Sequence, residues 1–165
     1  MPALQLLTPC LWFDGQALDA AEFYTTLFPD SGIDAVTRTP GAGQDIHGRA
    51  EGSVFTVSFH LAGQPMMGLN GGPAFSFTPA VSFVVQCADQ AEIDRLWDAL
   101  AEGGDPAAQQ CGWLADRFGL SWQIVPEEIG ALMSDPDPAR AARGMDAVLA
   151  MKKIDIAALR RAVEG

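Results

Sequence analysis

The sequence predicts an α+β fold in which one strand-and-helix unit occurs twice. Residues 8–22 read TPCLWFDGQALDAAE and residues 78–92 read TPAVSFVVQCADQAE. Aligned without a gap, they agree at Thr8/Thr78, Pro9/Pro79, Phe13/Phe83, Gln16/Gln86, Asp19/Asp89, Ala21/Ala91 and Glu22/Glu92. Average composition gives about one match over such a window. In both copies an apolar stretch runs into an acidic, Ala-rich one, the pattern of a strand followed by a helix. A spacing of seventy residues is too long for a solenoid or a propeller blade, so the repeat is a duplicated half-domain.

In the first half, LQLLTPCLWF reads as a strand broken by Asp14-Gly15. ALDAAEFYTTLF then carries an apolar stripe of Leu18, Ala21, Phe23, Tyr24 and Leu27 at helical spacing. Pro29-Asp30-Ser31-Gly32 ends that helix. IDAVTRT is a short strand, PGAGQDIHGRAEG a Gly-rich loop, and SVFTVSFHL with MMGLN a hairpin across Ala62-Gly63-Gln64-Pro65. The second half repeats the plan with AVSFVVQC as a strand and DQAEIDRLWDALAEGG as a helix. Asp89 and Glu92 are spaced as a capping box, and QQCGWLADRF and GLSWQIV supply further strands. The expected order is βαβββ twice, with halves of about 1–74 and 75–126 in a domain spanning 1–134. Residues 135–165 form a helical extension packed on the same domain. Asp137-Pro138 and Asp155 set its helix starts, and Met145, Val148, Leu149 and Met151 form a packing stripe.

With 165 residues and 48% hydrophobic content the chain can bury one sizeable core. No apolar run approaches the roughly 18 residues of a bilayer span, and no basic run precedes Asp14 as in a secretory signal. Three cysteines, Cys10, Cys87 and Cys111, are unevenly spaced, which fits neither a disulfide framework nor a zinc site and points to a cytoplasmic setting. The net charge is −11, and residues 1–134 alone hold 16 Asp/Glu against 4 Lys/Arg. A body so acidic repels phosphate backbones, so neither nucleic acid nor membrane is an expected partner.

The segments LWFDGQALDAAEFYTTLFPDS, LNGGP, FTPAVSFVVQCADQAEIDRLWDAL, CGWLADRFGLSWQIVP and DPDPARAARGMDAVLAMKKIDIAAL cover most of the chain. They resemble the PhnB-like family, often labelled demethylubiquinone methyltransferase-like, of the vicinal oxygen chelate (glyoxalase and bleomycin-resistance) superfamily. The resemblance implies paired βαβββ modules forming a cupped mixed sheet, within a homodimer. It does not by itself carry methyl transfer, which ordinarily needs a Gly-rich turn from a strand into a helix to receive S-adenosylmethionine. The glycines of PGAGQDIHG precede a strand instead.

Glyoxalase-type members hold a divalent ion with His or Glu near the start of the first strand and near the end of the fourth strand of each module. The resemblance places those positions at Cys10, Ala80, Met67 and Gln123. None is His, Asp or Glu, so neither a metal nor another cofactor is expected. Gln123 keeps the shape of a Glu without its charge. Strand alternation groups Cys10 with Trp12, Met67 with Leu69, Ser82 with Val84, and Ser121 with Gln123. A cup lined by Trp12, Met67, Ser82 and Gln123, with Asn70 at its mouth, suits a flat or apolar small molecule held by a few hydrogen bonds. The function expected is metal-independent small-molecule binding, comparable to the superfamily's antibiotic-sequestering members. The alternatives are an enzyme acting on a small oxygenated substrate, with His60 or Cys10 as its catalytic group, and a partner-binding module using the C-terminal helices. His47, in the Gly-rich loop, is read as solvent-facing.

Overall fold

Strand β1 (Cys10–Phe13) lies parallel to β4 (Gln64–Asn70), and a parallel neighbour cannot be reached by a tight turn. The intervening chain supplies helix α1 (Ala17–Leu27) and strands β2 (Gly32–Arg38) and β3 (Val54–Leu61). The computed structural model describes residues 6–43 and 48–165. They fall into two units, Met1–Ser76 and Phe77–Gly165. The residues before Leu6, and His47 with its three predecessors, lie outside the described residues.

In the first unit the sheet order is β1-β4-β3-β2, with every contact except β1–β4 antiparallel. Alternation sends Leu11, Phe13, Val57, Phe59, Leu61 and Met66 to one buried face. Helix α1 covers that face with Ala17, Ala20, Ala21 and Tyr24, all fully buried. Leu18, Phe23 and Leu27 of the expected stripe are only half-buried. Close approach explains the difference, because a Cβ added at Gly68 would lie 3.1 Å from the Cβ of Ala17. Only small side chains fit beneath the helix there. Gln16, at the N-cap of α1, makes no side-chain cap. The cap comes from across the sheet, where Asn70 Oδ1 accepts from the Ala17 amide at 2.9 Å.

The second unit holds β5 (Ser82–Cys87), α2 (Gln90–Ala101), β6 (Trp113–Ala115) and β7 (Ser121–Pro126), in the order β5-β7-β6 with β5 parallel to β7. Asp89 caps the helix as expected, accepting from the Glu92 amide at 2.9 Å, while Glu92 Oε2 accepts from the Ala88 amide at 2.9 Å, one residue before the cap. Phe83, Val85, Leu114, Trp122 and Ile124 share the face that meets Ile93, Leu96, Trp97 and Leu100 of α2. This unit has one strand fewer than the βαβββ plan. Where the first unit has β2, the second has a 3-10 turn, Pro106–Ala108, capped by Asp105. Gly104 runs so close to the Ala115 carbonyl that a Cβ there would overlap it.

Helices α3 (Ile129–Met133), α4 (Pro138–Ala150) and α5 (Ile156–Glu164) complete this unit. Asp137 and Asp155 cap α4 and α5 through the Ala139 and Ala158 amides. The Cys111 and Gly112 amides donate to the Met151 and Lys152 carbonyls, both at 2.8 Å. Gln90 donates to the Ile154 carbonyl and accepts from the Ile156 amide. Val148, Ile154, Leu159 and Val163 form a buried cluster. The packing face of α4 is Gly144 and Val148, whereas Met145 and Leu149 of the expected stripe are 45% and 53% exposed. Among the described residues no helix is long and apolar enough to cross a membrane.

Leu159→Ala leaves a void in this fully buried cluster and will lower unfolding stability by about 2–5 kcal/mol. Equilibrium denaturation measures it, and an unchanged midpoint would show that the cluster does not stabilise the unit.

Candidate functional site

Each sheet has a second face, turned away from its helix. In the first unit the β1–β4 register pairs Cys10 with Met67 and Trp12 with Leu69. Beyond β4, Ser58 pairs with Met67 and Thr56 with Leu69 on β3. The face is therefore apolar at β1 and β4 and carries hydroxyls along β3. Trp12 is locked at its rim: Nε1 donates to the Gly72 carbonyl at 2.7 Å. A Cβ at Gly71 would overlap the indole. The exposed Phe75 ring meets Trp12 edge-on, centroids 4.9 Å apart at 75°. The two rings form a corner suited to a flat apolar group.

In the second unit the corresponding face bears Ser82, Val84, Ser121, Gln123 and Trp113. Gln123 Nε2 donates to Ser82 Oγ at 2.9 Å. Because Ser82 Oγ already accepts, its own proton is available to donate outward, and Gln123 Oε1 is an acceptor beside it. A groove of ≈ 490 Å³ adjoins this face, lined by Pro79, Gln110, Cys111, Trp113, Ser121 and Leu149. A larger groove, ≈ 660 Å³, lies by Gln90, Asp94, Lys153 and Arg160. Its polar groups are engaged with one another: Lys153 with Asp94 and Asp98 at 3.0 and 3.1 Å, and Arg160 with Glu128 at 2.8 Å. For Lys153, burial pulls the pKa down, but the hydrogen bonds to Asp94 and Asp98 outweigh it and leave it raised. These pairs fasten α2 and α3 to the C-terminal chain.

Asn70 was expected at the mouth of a cup. It is instead 1% exposed, with Oδ1 on the Ala17 amide and Nδ2 donating to the Val54 carbonyl at 3.1 Å. Its amide joins helix to sheet, so we assign it a structural role. Cys10 is exposed and partial desolvation raises its pKa, which opposes thiolate formation. His60 bonds through Nδ1 to Asp34 at 3.0 Å. Strand β4 separates β1 from β3, so Cys10 and His60 do not form a nucleophile–base pair. Among the described residues no three His, Cys, Asp or Glu side chains are grouped to hold a metal ion.

The family profile of 3-demethylubiquinone-9 3-methyltransferase matches residues 5–125. The chain belongs to this PhnB-like family. Among solved structures, a "putative 3-demethylubiquinone-9 3-methyltransferase, PhnB protein" from Bacillus cereus is 36% identical, with a TM-score of 0.62, covering 73% of this chain and 99% of its own. Protein PA1353 from Pseudomonas aeruginosa, at 21% identity and a TM-score of 0.56, covers 73% of this chain and 96% of its own, and shows the fold alone. No curated protein matches. These neighbours establish the glyoxalase-like α+β fold for this PhnB-like chain. The family match ends at residue 125, just before α3.

Two pairings in this PhnB-like chain were beyond sequence reasoning. Asp34 sits at a register shift between Ile33 and Ala35, unpaired in the ladder, so period-2 counting could not place it beside His60. Asp116, 2% exposed, accepts from Trp122 Nε1 at 2.8 Å and from the Phe118 and Leu120 amides at 2.8 and 3.1 Å, holding the β6–β7 turn.

Cys10 is exposed whereas Cys87 is buried. Burial, followed by the neighbouring Glu92, pushes Cys87 up to about 11. At pH 8 a disulfide reagent will label Cys10 on the folded protein and leave Cys87 unmodified. Since the folded thiol holds its proton more tightly than the unfolded one, Cys87 stabilises the fold below pH about 9, and that contribution is lost as pH rises toward 11. Mass spectrometry after timed labelling decides it; rapid Cys87 modification at pH 8 would contradict the buried assignment.

Proposed function

We propose that this PhnB-like protein binds small, flat, largely apolar molecules without a metal ion, on the open sheet face of each unit taken by itself, with Trp12 and Met67 in the first and Ser82 and Gln123 in the second. The observation that carries this most directly is the neutral Gln123–Ser82 hydrogen bond of 2.9 Å. At the strand positions where glyoxalase-type relatives place charged ligands, this chain has a thiol, a methyl group, a thioether and an amide, at Cys10, Ala80, Met67 and Gln123. Such groups are poor donors for a hard divalent ion. They suit orientation of a ligand by one donor and one acceptor against apolar walls.

Methyl transfer, named in the family description, finds less support. The two strand-to-helix connections contain Asp14-Gly15-Gln16 and Ala88-Asp89, neither of them Gly-rich. One free amide at each helix start is already taken, that of Ala17 by Asn70 and that of Glu92 by Asp89.

We also propose a homodimer in the cytoplasm. The second unit ends in an edge strand, β5, with Val84 56% exposed and Val81 just before it 67% exposed. Met145 and Leu149 on α4 add apolar surface. An uncovered edge with apolar flanks favours pairing with a second copy.

Purified protein, after exhaustive dialysis, will contain well under one zinc, nickel, iron or manganese per chain by elemental analysis. A stoichiometric divalent metal would overturn the metal-independent assignment. Light scattering at micromolar concentration will give twice the chain mass of 17.5 kDa, with an interface of at least about 1,000 Å². A monomer would remove the dimer.

A further inference from the structure

We propose that His60 and Asp34 form a proton-accepting pair on the open face of the first sheet, acting on a planar small molecule that carries one acidic proton. The proposal rests on that face receiving the ligand, and goes beyond it in assigning chemistry. Asp34 approaches His60 Nδ1 with both oxygens, at 3.0 and 3.2 Å. A carboxylate only accepts, so Nδ1 carries the hydrogen, and in the neutral imidazole Nε2 keeps its lone pair.

Two local features set this geometry. The register shift between Ile33 and Ala35 inserts Asp34 as an extra residue in β2, which turns its side chain toward His60. Opposite His60 stands Gly32, and a Cβ there would lie 3.2 Å from Cε1 and 3.6 Å from Nε2. Glycine leaves room for the ring to lie across β2. The surroundings are low and mostly apolar: Pro65 pairs with His60, and Ala35 and Met67 with Ser58, two residues before it. The side chains of His60 and Asp34 are 32% and 52% exposed, so a ligand can reach them.

In the proposed step the Nε2 lone pair takes the ligand's proton, and the electron pair of the broken bond remains on the ligand. His60 becomes an imidazolium held by Asp34. No oxidant, reductant or metal is consumed. His60 would be the catalytic residue and Asp34 a positioning residue.

A planar probe, 5-nitrobenzisoxazole, tests it. Loss of its ring C–H proton to a base forms a nitrile as the ring N–O bond breaks, releasing a coloured phenolate. Turnover above buffer is expected, falling about tenfold or more in His60→Gln, toward the low end of what a positioned base contributes. Asp34→Asn should retain fold and lower the rate. By ¹⁵N NMR, His60 will carry its hydrogen on Nδ1 in the native protein, and on Nε2 more often in Asp34→Asn. Turnover equal in native protein and His60→Gln, or a native Nε2–H tautomer, would overturn the proposal. Equilibrium dialysis with 5-nitroindazole, which has no N–O bond to break, separates the two levels. Binding without turnover sinks the proton-accepting pair and leaves ligand binding standing, whereas neither binding nor turnover sinks both.

Discussion

Parallel pairing of the first and last strands is the constraint on which both units depend. β1 hydrogen-bonds along β4 and β5 along β7. Each parallel pair demands a long connection, and that connection supplies the helix which covers one sheet face. Alternation then leaves the other face open, with Trp12 and Met67 in one unit and Ser82 and Gln123 in the other. The close packing of Ala17 over Gly68 and the Asn70 cap on α1 follow from the same arrangement. The helix must cross directly over the strand that pairs with β1.

The C-terminal helices extend the second unit beyond the region matched by the family profile, which stops at residue 125. They are integral to that unit. The Cys111 and Gly112 amides have the Met151 and Lys152 carbonyls as partners, and buried backbone donors left without partners would cost about 1–3 kcal/mol each. Gln90 spans from α2 to both sides of Asp155, so the start of α5 is tied to the duplicated half itself. The exposed ion pairs of Lys153 and Arg160 add little by comparison.

The open faces carry neutral side chains at Met67, Ser82 and Gln123, and the His60–Asp34 pair on the first face stands apart from Met67. His60 and Asp34 lie at the β2–β3 side of the sheet, while Cys10 and Met67 lie at its β1–β4 side. A family fold therefore carries two distinct resources on one face: an apolar and aromatic wall, and an imidazole with a carboxylate behind it.

Much of this was legible in the sequence because it is local. The repeat of residues 8–22 at 78–92 exposed the strand-and-helix units, the 2-residue period assigned side chains to faces, and Asp89, Asp137 and Asp155 marked helix starts through contacts two or three residues away. The missing strand in the second unit was less visible, since residues 103–112 contain enough chain for a strand but are held as a 3-10 turn by Asp105 and by packing at Gly104. Residues distant in the chain were decided only by tertiary structure. Asn70 reads as a polar residue at a strand end, and only the crossing of α1 over β4 makes it a helix cap. Asp34 reads as an outward strand residue, and only a register shift brings it to His60. Local periodicity determines which face a residue occupies; which partner it meets depends on register and on the distance between elements, and those are set by packing across the whole unit.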